Sequence, residues 1–250
     1  MKNRAYKNYI FDFYGTLVDI LTDEKDPVLW DKLGQLYQAY GAAYEGDVLK
    51  KAYAKRVDQA RKELIELKGV AYPEIDLAHI FNQLYVDARP QSSNSNQPED
   101  WGQLIAMVFR VLSRKHVTAY PHTKEVLAFL KEQGCRIYLL SNAQAAFTNA
   151  EIDLMELRPY FDAIYLSSDV GICKPQPEFL KQVLDDHGLK PSETVMVGND
   201  LTTDIAVAEA VGIDGILLNT FPYSRRELEK SPIKPDRVIT DIEALKTNFT

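Results

Sequence analysis

Four short stretches of this chain carry residue types that can hold an anion beside a cation. In order they are Asp12-Phe13-Tyr14-Gly15-Thr16, Ser141-Asn142, Lys174-Pro175 and Gly198-Asn199-Asp200, with Asp204 four residues beyond Asp200. Carboxylates at Asp12, Asp200 and Asp204 can share a cleft only if a cation compensates them, and an oxygen-only donor set suits Mg²⁺. The Lys174 ammonium, the hydroxyls of Thr16 and Ser141, the Asn142 amide and turn N–H groups are partners that a phosphate or carboxylate takes. Taken singly, each stretch has an ordinary explanation: an Asp in a turn, Ser-Asn and Asn-Asp as helix caps, a commonplace Lys-Pro. Their joint order makes coincidence a poor explanation, provided the elements of the fold bring them together.

Tyr9 to Tyr14 is a short apolar and aromatic run closed by Gly15-Thr16, the pattern of a buried strand and turn. From Pro27 to about Arg89 the pattern is helical. Leu29, Leu33, Leu36, Tyr37 and Tyr40 form one stripe; Leu49, Tyr53, Val57, Ala60, Leu64 and Leu67 form another, which Gly69 ends. Pro90 to Asp100 is polar and turn-rich, which predicts a surface loop, and Trp101 to Arg114 predicts a further helix. After Pro121 the character alternates. A helix over Thr123 to Glu132 precedes strands at Arg136–Leu140, Ala163–Leu166, Thr194–Val197, Gly215–Leu218 and Arg237–Ile239, with helical stretches between them and a helix at the C-terminus. Nearly all-apolar strands separated by helices predict a parallel sheet covered on both faces. The expected fold class is therefore α/β: a doubly wound parallel sheet made of the first strand and everything after about residue 118, with a helical block inserted after that strand. Ligands in such sheets bind beyond the carboxyl ends of the strands, and all four stretches fall there.

With this order in hand, the chain resembles the haloacid dehalogenase-like (HAD) superfamily, whose four ordered motifs match Asp12-x-Tyr14-Gly15-Thr16, Ser141-Asn142, Lys174-Pro175 and Gly198-Asn199-Asp200-x-x-x-Asp204. The resemblance implies a Rossmann-like core formed by residues 1–18 and 118–250, and an α-helical cap domain formed by residues 19–117. It implies nucleophilic attack by Asp12 with a covalent aspartyl intermediate that water hydrolyses. It implies charge neutralisation by Mg²⁺ and Lys174, hydrogen bonds from Thr16, Ser141 and Asn142 to the substrate, and metal binding by Asp12, the Tyr14 carbonyl and Asp200. Asp204 is expected to hold metal waters or the Lys174 ammonium, and Asn199 stands where either a ligand or a spacer fits. The joints between cap and core are expected near Asp19–Asp26 and Lys115–Tyr120, with closure excluding water.

One position departs from the pattern. Most phosphatases of the superfamily place a second Asp two residues after the nucleophile as general acid and base, and here that residue is Tyr14, a poor base at neutral pH. Tyr at that place is a mark of the metal-free 2-haloacid dehalogenases. Those enzymes, however, carry Ser and Asn where this chain has Asn199-Asp200, and a tyrosine six residues after the lysine where this chain has Leu180. Two neighbouring carboxylates without a metal would repel, so the expected function is a Mg²⁺-dependent phosphatase of small phosphorylated metabolites, with Tyr14 counted among its catalytic residues. The alternatives are a dehalogenase-like hydrolase, or a weakly active protein that mainly binds a phosphorylated ligand or a partner. Asp19 is the one nearby carboxyl that offers a replacement proton, although an exposed linker Asp usually has no special role.

Composition narrows the field. Of 250 residues, 46% are hydrophobic and 26% charged, which suits a folded chain. Acidic residues outnumber basic ones by 36 to 29, so a nucleic-acid partner held by bulk charge is not expected. No apolar run approaches the ~18 residues of a membrane span, and Asp12 interrupts the only export-like start, which predicts a cytoplasmic protein. Cys135 and Cys173 are expected to be buried free thiols. His79, His116, His122 and His187 show no ligand spacing, and Tyr37, Tyr40, Tyr44 and Tyr53 are expected to pack helices. Arg56, Arg61, Arg89, Arg110 and Arg114 are candidates for a substrate-facing cation, with solvated helix faces as the default. No residue pattern speaks to oligomeric state.

Overall fold

The structure, a computed structural model, describes residues 5–89 and 98–249. Much of the Pro90–Asp100 stretch, residues 90–97, lies outside them. The core strands are β1 (Asn8–Phe11), β4 (Arg136–Ser141), β5 (Ala163–Leu166), β6 (Thr194–Gly198), β7 (Asp214–Leu218) and β8 (Arg237–Ile239). They form one sheet in the order β5-β4-β1-β6-β7-β8 with every pairing parallel. Side chains alternate across it as a pleated strand requires. Tyr9, Phe11, Ile137 and Leu139 enter one buried layer with α5 (Thr123–Glu132), while Ile10, Tyr138 and Leu140 enter the other with α8 (Pro177–His187). This is the doubly wound α/β core read from the sequence.

The inserted block holds α1 (Pro27–Ala39), α2 (Gly46–Lys68), α3 (Leu77–Ala88) and α4 (Trp101–Ser113) around an aromatic core of its own that includes Trp30, Tyr37, Phe81, Trp101 and Phe109. Tyr37 and Tyr44 pack here as expected, donating to the carbonyls of Phe81 at 2.7 Å and Leu84 at 3.1 Å. Phe147, from α6 (Ala145–Leu154) of the sheet domain, closes this second core.

Three expectations need correction. The two crossings between core and insert, expected as joints near Asp19–Asp26 and Lys115–Tyr120, contain paired strands. β2 (Val18–Thr22) and β3 (Arg114–Ala119) form an antiparallel ribbon in which Val18 faces Ala119 and Ile20 faces Val117. Most of their residues are exposed or half-buried, and they lack the nearly all-apolar run that marks the core strands. The C-terminal helix is a 3₁₀ stretch over Ile242–Phe249. Cys135 is buried as expected but Cys173 is only half-buried, and burial together with nearby Glu74 pushes its thiol up to about 11. Among the described residues no helix is long and apolar enough to cross a membrane.

Candidate active site

The chain runs outward from β1 to β4 and β5, then returns to the other side of β1 as β6. The reversal opens a crevice between β1 and β6, the place where such sheets bind ligands. Asp12 follows β1 directly, its N–H still bonded to the Val197 carbonyl of β6 at 3.0 Å. Ser141 ends β4, and Asn199 and Asp200 follow β6. Lys174 comes from the loop between α7 (Ser167–Val170) and α8.

These side chains converge on Lys174. It is buried, and its ammonium donates to Asp12 Oδ1, Asp204 Oδ1 and the Leu140 carbonyl, each at 2.7 Å. Burial disfavours that charge, but Asp12 and Asp204 outweigh it and raise the lysine pKa. One ammonium serving two carboxylates leaves the deeper one undercompensated. Burial pushes Asp204 up to about 6, with Lys174 pulling it down and Asp12 adding to the rise. The second Asp204 oxygen takes the Asp200 N–H at 3.0 Å. Gly198 leaves room for this carboxylate, since a Cβ there would stand 2.3 Å from Asp204 Cγ.

Asp12 is held by two more side chains. Ser141 Oγ donates to its Oδ1 at 3.2 Å, and Thr16 Oγ1 lies 3.2 Å from its Oδ2 and 3.2 Å from Asn199 Oδ1. Gly15, at φ +80, turns the loop under Asn199; a Cβ would lie 2.5 Å from Asn199 Nδ2. The cavity at this end of the sheet measures about 220 Å³ and is lined by Asp12, Tyr14, Ser141, Asn142, Lys174, Asn199, Asp200, Thr203 and Asp204. Of the residues singled out in the four motifs, Thr16, Gly15, Pro175 and Gly198 do not line it, and the others do. Thr203 was missed, since it sits in the turn between motif residues and carries no signal of its own.

Two residues do something other than expected. Asn142, anticipated as a substrate ligand, spends both ends of its carboxamide on the lysine backbone: Nδ2 donates to the Lys174 carbonyl at 2.9 Å and Oδ1 accepts the Lys174 N–H at 2.7 Å. Tyr14, anticipated as catalytic, turns its hydroxyl away from Asp12 to donate to Glu151 of α6, with Thr148 Oγ1 at 3.1 Å. Burial, with Glu151 adding to it against Arg110, raises this phenol above its ordinary range. Glu151 is itself gripped by Arg110 of α4 at 2.8 and 2.9 Å and by Arg114 at 2.9 Å. The Arg110 guanidinium lies 5.0 Å over the Tyr14 ring and 4.6 Å over Phe147. Arg110 and Arg114 were named among five candidates. Glu151 was missed, because a lone Glu in a helix has no motif.

Other candidates lie elsewhere. Asp19 is on the ribbon, paired with His116 at 2.9 Å and with Tyr120 at 3.4 Å. His187 packs against Tyr138 with ring centres 4.6 Å apart, and His122 is brought 3.4 Å from both Asp241 and Glu243 on an open surface. Arg56 pairs with Asp87 on the insert.

The donor set facing the cavity suits a hard divalent cation. Among its lining residues, Asp12, Asn199 and Asp200 carry side-chain oxygens of the kind such a cation takes. Asp200 uses Oδ1 to receive the N–H groups of Thr202 at 2.6 Å and Thr203 at 3.1 Å, leaving Oδ2 without a hydrogen-bond donor among the described residues.

Comparison with known proteins agrees with this arrangement. A family model described as haloacid dehalogenase-like hydrolase matches residues 6–212. A glyceraldehyde 3-phosphate phosphatase of Methanothermobacter thermautotrophicus is 32% identical over 129 residues, covering 51% of this chain and 57% of that protein. The chain thus spans little more than half the length of that curated relative. Among solved structures, a 2-haloacid dehalogenase from Pseudomonas syringae superposes with TM-score 0.65 at 20% identity, covering 98% of both chains. A HAD phosphatase from Thermococcus onnurineus superposes with TM-score 0.62 at 18% identity, covering 97% of both. The fold is common to both chemistries and does not choose between them.

Proposed function

The chain belongs to the haloacid dehalogenase-like hydrolases, and from that premise we propose that it is a Mg²⁺-dependent phosphatase of small phosphorylated metabolites with Asp12 as nucleophile. The observation that carries this reading is the buried ammonium of Lys174 held 2.7 Å from both Asp12 and Asp204 at the mouth of the sheet. A carboxylate can approach a phosphate dianion only where positive charge is already in place. In this reading an Asp12 oxygen attacks phosphorus, the leaving oxygen departs, and water then releases phosphate from the aspartyl-phosphate. Ser141 and Thr16 orient the attacking carboxylate, and Asn142 fixes the backbone that delivers Lys174. When bound at Asp12, the Tyr14 carbonyl, Asn199 and Asp200, Mg²⁺ supplies charge neutralisation between the two anions. Asp204 serves by holding Lys174.

The insert, residues 19–117, acts in this reading as a cap that excludes water. The small polar cavity and the phosphatase name of the Methanothermobacter relative support the substrate class. Tyr14 favours a second reading, metal-free dehalogenation. Against it, Leu180 is wholly buried in the core and the cavity carries Asn199-Asp200. Phosphate release from sugar phosphates, nucleotides and phospho-acids, with and without Mg²⁺, tests the proposal. Turnover that needs Mg²⁺ and disappears in Asp12→Asn supports it; halide release from 2-haloacids without metal, and no phosphate release, overturns it.

A further inference from the structure

An alkyl phosphate parts from its alcohol readily only if the departing oxygen gains a proton, a contribution of about 10²–10⁴-fold in rate when a side chain supplies it. The acidic groups at this cavity are held in other contacts, except the second oxygen of Asp200, which the proposed function gives to the metal. Tyr14 forms the wall beside Asp12, but its hydroxyl donates to Glu151, which Arg110 and Arg114 fix in turn. Lys174 spends its three N–H bonds on Asp12, Asp204 and the Leu140 carbonyl. Asp204 receives Lys174 on one oxygen and the Asp200 N–H on the other, and Asp200 receives the Thr202 N–H, the Thr202 hydroxyl and the Thr203 N–H on Oδ1. What remains is alcohols and amides. Among the described residues lining the cavity, none turns an acidic proton toward a leaving group.

We infer that this site, if the phosphatase reading on which the inference rests holds, acts on phosphoryl groups carried by oxygens that leave as stable anions, with small acyl phosphates as its substrate class. The balance needs no donor. An Asp12 oxygen bonds to phosphorus, the bond from phosphorus to the acyl oxygen breaks, and its electron pair departs with a carboxylate. Water then bonds to phosphorus, the Asp12–phosphorus bond breaks, and its pair returns to Asp12. Both protons of the water leave with the phosphate as H₂PO₄⁻, which yields one to solvent. The second step also lacks a side-chain base, so it is slow and common to all substrates. The cavity beside Asp12, about 220 Å³ and lined mainly by polar residues, has room for a short acyl group.

The test is steady-state and rapid-quench kinetics of the full chain with Mg²⁺ on acetyl phosphate, a series of ring-substituted aryl phosphates, and glycerol phosphate. The expected result is that kcat/KM falls about 10²–10⁴-fold from acetyl phosphate to glycerol phosphate. It comes with one shared kcat for acetyl and p-nitrophenyl phosphates and a burst of one leaving group per site. Glycerol phosphate turned over within a few-fold of acetyl phosphate overturns the inference while leaving the phosphatase reading intact. No turnover of any member overturns that reading and the inference with it.

Discussion

Lys174 Nζ lies 2.7 Å from Asp12 Oδ1 with only 1% of the lysine side chain exposed, so the ammonium is shielded from water before any ligand arrives. In such a place the ammonium compensates both carboxylates, and in the proposed reaction it prepares Asp12 as the nucleophile. Removing it leaves Asp12 and Asp204 facing each other without compensation. Lys174→Met is expected to cost about 3–5 kcal/mol, the range for breaking one side of a buried pair, and to abolish phosphate release. Urea denaturation followed by tryptophan fluorescence checks the first, and a phosphate assay at a temperature where the variant is folded checks the second.

The Glu151 carboxylate joins the insert to the loop that bears Asp12. Burial opposes its charge, but the hydrogen bonds and charge of Arg110, with Tyr14 and Arg114, hold its pKa below the ordinary glutamate value. A depressed folded pKa adds stability above the unfolded value, and that stability is lost as pH falls through the folded one. The stability gap between the wild type and Glu151→Gln is therefore expected to be widest above about pH 4.5 and to narrow below it. Chemical denaturation of both proteins from pH 7 to pH 3 measures this; a gap that widens on acidification would contradict it.

Gly198→Ala places a methyl group 2.3 Å from Asp204 Cγ in a site with no slack. Because the neighbour is the carboxylate that holds Lys174, the variant is expected to lose activity along with about 1–3 kcal/mol of stability from overpacking. Alanine at Gly134, where nothing lies within 4 Å of a new Cβ but φ is +78, makes a comparison. Strain alone there should lower the melting temperature without touching catalysis.

Asn142→Ala removes both hydrogen bonds that clamp the Lys174 backbone, at 2.9 and 2.7 Å. The expected signature is a fall in kcat larger than any rise in KM, because the lysine is misplaced while the cavity keeps its shape. About 1–3 kcal/mol of stability should go with each buried group left unpaired. Steady-state kinetics on p-nitrophenyl phosphate separate the two parameters, and an effect confined to KM would restore Asn142 as a direct substrate ligand.

Most of the core was legible because its strands are short, nearly all apolar and separated by helices, and because ligand residues fall at strand ends in a fixed order. Asp12, Ser141, Lys174, Asn199, Asp200 and Asp204 could be placed on that basis alone. The ribbon of β2 and β3 was not legible. Its strands start 96 residues apart, at Val18 and Arg114, Val18 pairs with Ala119, and neither carries a strong apolar alternation. The orientation of Tyr14 was hidden for a related reason. Its hydroxyl is set by Glu151, 137 positions away, and by Arg110 from the insert, and only the packing of the insert on the sheet core brings those three together.

In the proposed reaction Asp12 takes the phosphoryl group. Acid quench of the full chain during turnover of acetyl phosphate with Mg²⁺, followed by peptide mass spectrometry, tests it most directly. The expected result is one added phosphoryl group on the peptide containing Asp12, absent in Asp12→Asn. A phosphoryl group on another residue, or undiminished turnover by Asp12→Asn, would contradict it.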